Sequence, residues 1–384
     1  MRVDELITPA LLIDRTKLQR NITMMASKAR KGGVRLRPHV KTHKCLEIAR
    51  LQEAAGATGL TVSTLGEAAA FVDGGFSDLT LAYPITSDKI PAFLALASHA
   101  SVTALVDHPA MVTALEASCS ARGGKLDVLM KVDCGYHRCG VDPKQREAVS
   151  LAKAIDSADH LRFGGILTHA GHAYNATSSG GVAEIARTEQ TIMVEFAHKL
   201  QDSGLAVETV SVGSTPTMMA SKRFEKGITE IRPGTYVFFD VSQVALGSCE
   251  LAACALSVLT SVVSVHSDRI MVDAGATALS KDAGVSNMVP DMSYGAVLAS
   301  YDSDRAESSM RIAALSQEHG KIQFTGRTSH PSFAPGDRLR IVPNHCCLTA
   351  DLFDRYYVVE KDAVIACWPV RRERLAKEFE PIRP

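Results

Sequence analysis

An excess of charge of either sign is missing from this sequence: Lys and Arg total 42, and so do Asp and Glu. Without a basic surplus the chain makes no electrostatic claim on nucleic acid, and without an acidic tail it has no solvating arm. Cysteine is sparse, at 9 in 384 residues, and irregularly spaced, which speaks against a disulfide scaffold. The adjacent Cys346 and Cys347 suit neither a simple bridge nor a C-x-x-C redox pair. No apolar leader follows Met1–Glu5, so a reducing cytoplasm is the expected setting. The longest uncharged apolar stretch, Leu251 to Val265, is broken by Ser and Thr. It falls short of the ~20 residues of a membrane span and reads as buried strand. No G-x-G-x-x-G follows a strand, which counts against a dinucleotide fold. Repeats and low-complexity tracts are absent as well.

What is present is length and alternation. The chain exceeds the roughly 250–300 residues at which single cores stop growing, so two domains are expected. Short β-branched runs predict strands at Val34–Lys41, Gly59–Thr64, Asp78–Pro84, Ser101–Asp107, Leu126–Asp133, Leu161–Ala170, Glu208–Ser214 and Thr229–Asp240. Helical patterns such as Cys45–Ala55 and Ala183–Leu200 fall between most of them. The seventh helical unit is weak, with only Pro216–Phe224 to form it. Alternating β and α elements imply a parallel sheet with helices outside, and eight strands fit a closed (β/α)8 TIM barrel. After Leu246 the pattern changes to strands with few helices: Ala255–Val265, Arg269–Val272, Gly320–Thr325, Asp337–Val342, Tyr356–Glu360 and Ala363–Cys367. The expectation is an α/β chain: a barrel over residues 15–246, and an all-β C-terminal domain over 247–384 that also takes the first strand, within residues 1–14.

Barrel enzymes keep their chemistry at the C-terminal strand ends. The first such end carries Pro38-His39-Val40-Lys41-Thr42-His43-Lys44. A lysine there can serve as a point charge or as an amine that forms a Schiff base; the bland reading is a solvated basic loop. Ser211–Thr217 and Ile231–Tyr236 follow the last two strands with hydroxyls and glycines, Ser214, Thr215, Gly234 and Thr235 among them. Such loops wrap a phosphate through backbone N–H groups, unless they are simply two turns. Asp133–Gly140 sets Arg138 in a glycine-bounded loop, where a guanidinium can hold an oxyanion such as a phenolate or merely face solvent. In His345-Cys346-Cys347, an extended backbone would put His345 and Cys347 on one face and Cys346 on the other. Imidazole and thiolate together suit zinc; the alternative is a buried cysteine pair beside a satisfied histidine.

Taken together these segments resemble the D-serine dehydratase / D-threonine aldolase family of fold-type III, alanine-racemase-like pyridoxal-phosphate enzymes. The residues that carry the likeness are Leu36–Thr42, Lys131–Gly135 with Arg138 and Gly140, Leu167–Gly171, Ser211–Thr217, Arg232–Asp240, Gln317–Gly320, and Pro343–His345 with Cys347. They run through most of the chain in the family's order. The resemblance implies that Lys41 bonds pyridoxal 5'-phosphate. It places Thr215, Gly234 and Thr235, with Ser214, in the phosphate cup, and Arg138, Tyr174 and His169 at the cofactor. It puts a divalent metal on His345 and Cys347, zinc first, with manganese or magnesium as alternatives. His-x-Cys is similar to the dehydratase members, whereas aldolase members tend to show His-x-Asp. The bacterial 3-hydroxy-D-aspartate and D-serine dehydratases are the nearest subgroup.

The implied activity is a lyase on small β-hydroxy D-amino acids. Loss of the hydroxyl would make a 2-oxo acid and ammonia; cleavage of Cα–Cβ, as in an aldolase, would make glycine and an aldehyde. An amino-acid racemase would need a second acid/base, usually a tyrosine, and would leave His-x-Cys without a use. The resemblance further implies a homodimer with shared active sites, and no membrane or nucleic-acid partner is expected.

Overall fold

The structure, a computed structural model, describes residues 1–298, 303, 305–325 and 332–372. The end of the expected β domain, 373–384, therefore lies outside the described residues. The chain divides into two compact units. One comprises Met25–Tyr174 and Gly180–Gly234 with Arg371 and Arg372; the other comprises the described residues of Met1–Met24, Asn175–Ser179 and Thr235–Val370.

The first unit is built on eight parallel strands. Their spatial order is Arg35–Leu36, Glu230–Ile231, Thr209–Val212, Leu161–Leu167, Leu126–Lys131, Ser101–Val106, Asp78–Leu81 and Leu60–Val62. The two ends of this series meet: His39 and Thr61 form a parallel bridge, and Thr61 N–H donates to Pro38 O at 2.9 Å. Closure removes both sheet edges, the condition for a barrel. Leu105, Leu129 and Leu167 pack together as one buried cluster. Gly165 shows how tightly neighbouring strands run. Its φ is +130°, and a Cβ there would lie 2.1 Å from Thr209 O.

The helices follow from local chemistry. In Arg146–Asp156 the buried residues Ala148, Leu151, Ala152 and Ile155 make one stripe at helical spacing. In Leu65–Asp73, Thr64 accepts from Glu67 N–H, while Glu67 accepts from Ser63 N–H at 2.7 Å, so the first turn is closed from both sides. The weak seventh helix exists but is short, Thr215–Ala220.

Two strands expected to be long are cut short. Val34–Lys41 yields only Arg35–Leu36, and Thr229–Asp240 only Glu230–Ile231. Each is followed by a proline, Pro38 and Pro233, which has no N–H to extend a ladder. The expected strand tips at Lys41 and Tyr236 are therefore 3-10 turns, Val40–Thr42 and Thr235–Val237.

The second unit is mainly β, with a sheet of nine strands among the described residues. The early strand Ala10–Asp14 lies antiparallel to Leu256–Val265 and parallel to Arg355–Glu360, so it belongs to this unit. Val3, Leu6, Ala10, Leu12, Leu259 and Val359 form a shared core. Two further strands, Gly295–Leu298 and Met310–Leu315, join the sheet. The unit is not purely β: short helices stand at Ala276–Leu279 and Cys346–Ala350.

Candidate active site

Lys41 sits in the turn Val40–Thr42, half-buried, with His39 as the turn's cap. The His39 Nδ1 accepts from Lys41 N–H at 3.5 Å. Burial, and after it the charges of Lys41, Arg232, His169 and His43, hold the His39 pKa well below the usual imidazole value. The second histidine of the motif is occupied elsewhere. His43 is fully buried, its Nδ1 accepting from Cys45 N–H (3.1 Å) and its Nε2 donating to Gln52 Oε1 (3.2 Å). It is a core residue.

Around Lys41 the barrel gathers cations. His169 follows the strand Leu161–Leu167 and donates from Nδ1 to Gly213 O at 3.4 Å. Burial first, then Lys41, Lys131, Arg138 and Arg232, push its pKa far down. Lys131 is buried, and burial with the charge of Arg232 lowers its pKa to about 8. Arg232 donates to Ser211 Oγ and Thr168 O, and burial brings its pKa to about 10. Glu189 ties two loops together, accepting from Ala170 N–H (3.2 Å) and Gly213 N–H (2.9 Å). Burial raises its pKa, against its hydrogen bonds and the charge of Arg232.

The hydroxyl loops leave neighbouring strands. Ser214 caps Thr215–Ala220 and exchanges hydrogen bonds with Thr217, whose Oγ1 accepts from Ser214 N–H at 3.0 Å. Gly234 follows the last strand, and a Cβ there would lie 2.8 Å from Thr42 Oγ1 and 3.2 Å from His39 Cβ. Glycine lets that loop pass close to the Lys41 turn. Thr235, next in sequence, starts the turn Thr235–Val237 and is buried.

Arg138 is exposed, with its guanidinium 5.0 Å above the ring of Tyr136. That ring meets His169 edge-on (centroids 6.2 Å apart) and stacks with His172 (6.1 Å). The approach depends on Gly171, where a Cβ would fall 2.3 Å from Tyr136 Cε1. Tyr136 and His172 are residues the sequence reading passed over, since their approach to each other and to His169 is tertiary. Tyr174 lies in the same short turn, Gly171–Asn175.

In the second unit, His345 and Cys347 do not lie on an extended segment. His345 is the last extended residue, and Cys346–Ala350 turns into a helix. The two side chains nevertheless meet, within hydrogen-bonding reach of each other. The His345 Nδ1 lies 2.9 Å from Asp282 Oδ2. Burial alone would lower the His345 pKa, but Cys347, Asp282 and Asp240 push it up to about 11. Cys346 is fully buried, and its N–H donates to Asp240 Oδ2 at 3.0 Å. Among the described residues, no three His, Cys, Asp or Glu side chains are placed to share one metal ion. Also among the described residues, no helix is long and apolar enough to cross a membrane.

A closed parallel barrel with a mainly-β companion and a lysine turn at its first strand defines a protein of the alanine-racemase type. Residues 13–242 match the family described as the alanine racemase N-terminal domain, and 255–359 match a serine dehydratase domain. The D-threo-3-hydroxyaspartate dehydratase of Delftia sp. (strain HT23) is 36% identical over 94% of this chain and 96% of its own length. The D-serine dehydratase of Dictyostelium discoideum is 34% identical over 94% and 95%. The 3-hydroxy-D-aspartate aldolase of Paracoccus denitrificans (strain Pd 1222) is 31% identical over 96% and 93%. The solved structure of the Delftia enzyme superposes with a TM-score of 0.91 at 35% identity, covering 97% of this chain and 99% of that one. Two mutant structures of D-threo-3-hydroxyaspartate dehydratase, each also with a TM-score of 0.91, replace a histidine and a cysteine numbered two apart; the cysteine mutant is described as metal-free. The chain belongs to the D-serine dehydratase / D-threonine aldolase family of fold-type III enzymes.

Proposed function

We propose that this chain is a pyridoxal-phosphate- and divalent-metal-dependent lyase of β-hydroxy D-amino acids. In this reading it dehydrates D-serine or 3-hydroxy-D-aspartate to a 2-oxo acid and ammonia. Aldol cleavage is the alternative; a histidine and a cysteine spaced as His345 and Cys347 are the residues replaced in the D-threo-3-hydroxyaspartate dehydratase mutants, which favours dehydration. The observation that carries the proposal is the meeting of His345 and Cys347 side chains, in a chain whose Lys41 turn is surrounded by cations. A histidine and a cysteine with the same spacing were the residues replaced in the mutant dehydratases.

The residues fit both groups. Lys41 would hold pyridoxal phosphate covalently, with Arg138, His169 and Tyr174 against it. Ser214, Thr215, Gly234 and Thr235 would take the phosphate. Lys41, Lys131, Arg138 and Arg232 all act on His169, so cations surround that ring, which suits a dianion. His345 and Cys347 supply nitrogen and sulfur, the donor set that zinc prefers. The working division is a barrel of 15–246 that binds the cofactor and a β domain, 1–14 with 247–384, that binds the metal.

Bound pyridoxal phosphate supplies an electron sink for charge at Cα, and the metal supplies a Lewis acid for the β-hydroxyl. The chain's own part is to hold and move protons. The Lys41 Nζ would be the base that takes the Cα proton. His39 and His169, kept neutral by burial and neighbouring cations, add no competing charge. Work as a homodimer with shared sites is part of the proposal; the exposed Leu348 and Leu352, just after Cys347, support a partner surface there. The test is product analysis from D-serine, D-threonine and 3-hydroxy-D-aspartate. A 2-oxo acid with one equivalent of ammonia is expected, and glycine with an aldehyde would replace the dehydratase reading by the aldolase one.

A further inference from the structure

Nothing in sequence spacing connects Asp282 to His345, yet its carboxylate is the one that touches the ring, at 2.9 Å from Nδ1 across 63 positions. We infer that Asp282 is the positioning residue of the metal centre: its carboxylate accepts the Nδ1 proton of His345 and so leaves Nε2 as the nitrogen with the free lone pair. The inference rests on the reading of His345 and Cys347 as metal-holding residues.

The geometry carries it in three steps. First, Asp282 is held fast. Its Oδ1 accepts from Gly284 N–H at 2.6 Å, and its own N–H donates to Ser280 Oγ at 3.3 Å. Its main-chain oxygen accepts from Asn344 Nδ2 at 3.1 Å. Asn344 precedes His345, so the Asp282 loop and the His345 turn are joined twice, once by backbone and once by ring. Second, the other nearby carboxylate is committed elsewhere. Asp240 spends Oδ1 on Gln243 N–H (2.9 Å) and Oδ2 on Cys346 N–H (3.0 Å), both main-chain groups. Third, an imidazole that takes a metal gives up one of its two ring protons and keeps the other on the remaining nitrogen. An acceptor fixed at Nδ1 selects that tautomer, fixes the ring plane and makes the remaining nitrogen more basic.

Replacing Asp282 by Asn keeps the size but makes one arm of the group a donor. If the amide turns that donor to Nδ1, the ring proton moves to Nε2 and the ligand lone pair is lost. If it keeps its oxygen there, the charge behind the ring is lost and Gly284 N–H loses its acceptor.

The experiment is a Zn2+ titration of the pyridoxal-loaded protein, stripped with a chelator and read against a chromophoric competitor. Wild type, Asp282→Asn, Asp282→Glu and Cys347→Ala are compared, with cofactor absorbance and the Tm of the metal-free forms as fold controls. Asp282→Asn should bind Zn2+ about 10–100-fold more weakly at unchanged cofactor absorbance, and Asp282→Glu, which keeps the carboxylate, should recover most of the loss. An Asp282→Asn affinity within about twofold of wild type, with Cys347→Ala metal-free, would overturn this inference and leave the metal reading standing. Equal losses in the Asn and Glu variants would overturn it too, since packing rather than the carboxylate would then be at work. Zn2+ binding by Cys347→Ala as tight as in wild type would remove the metal reading itself, and this inference with it.

Discussion

The turn around Lys41 and the turn around His345 make opposite use of the same side chain. His169, in the first setting, is driven down by burial and by Lys41, Lys131, Arg138 and Arg232. In the second, burial again works downward, but Cys347, Asp282 and Asp240 overcome it and His345 is pushed up to about 11. The groups that act on His169 are cations, and those that act on His345 are a thiol and two carboxylates. Cations suit an anionic ligand, and a ring nitrogen beside sulfur suits a metal cation, which is the division of labour the proposed lyase requires.

The contrast breaks most sharply at Lys41. If the barrel cluster serves a covalently held cofactor, borohydride reduction and peptide mapping should label Lys41 and leave Lys44 bare. Lys41→Ala should lose the label and lower turnover on the order of 10²–10⁴-fold, the range for removing a general base. Label on Lys44, or on neither lysine, would take the centre of the cationic cluster away from Lys41.

A second test sharpens the electrostatic side. Lys131 titrates near 8 when folded, because burial and Arg232 disfavour its charge, against 10.5 for an ordinary lysine. Between those values the unfolded chain binds the proton and the folded chain does not, so stability should rise with pH across that window. Below pH 8 both states are protonated and the burial penalty is fully present. The gain from pH 8 to 10.5 amounts to about 3 kcal/mol at most. Thermal unfolding of the cofactor-free protein, compared with Lys131→Met, should show a rise in the wild type that the variant lacks. Parallel curves would mean that Lys131 is not held among cations.

How much of this was legible in sequence depended on whether a feature was local. The helix expected over Cys45–Ala55 appears as Leu46–Ala54, and that over Ala183–Leu200 as Ser179–Asp202, since an apolar stripe is written into adjacent turns. The early strand was legible as part of the β unit, and it pairs there with Leu256–Val265. Val34–Lys41 and Thr229–Asp240 were overextended because β-branched runs were counted past Pro38 and Pro233, where the ladder loses its donors. Met310–Leu315 was missed although its partner, Gly320–Phe324, is the next strand of a hairpin; Gly295–Leu298 was missed because it is short and pairs with Arg338–Pro343, far along the chain. Tyr136 and Asp282 were invisible for the same reason. A ring fitted over Gly171 and a carboxylate brought to His345 are products of tertiary approach, not of spacing.

The smallest effect separates the two adjacent cysteines. An extended segment would have sent Cys346 away from Cys347 by alternation alone, but the backbone is helical there and the separation has another cause. Cys346 is fully buried at the start of the helix, its main-chain N–H fixed on Asp240, whereas Cys347 is only half-buried and meets His345. Burial pushes the Cys346 thiol well above its ordinary pKa, so it stays protonated and behaves as a small apolar group. Cys346→Ala should therefore cost about 1 kcal/mol of stability through the space it leaves, an ordinary value for a small buried truncation. Zn2+ stoichiometry and cofactor absorbance should not change. Denaturant unfolding of the metal-free protein, alongside a Zn2+ titration, measures both quantities on one variant. Loss of zinc from Cys346→Ala at unchanged stability would mean that the buried thiol is the ligand, and that the turn presents its chemistry to the opposite side.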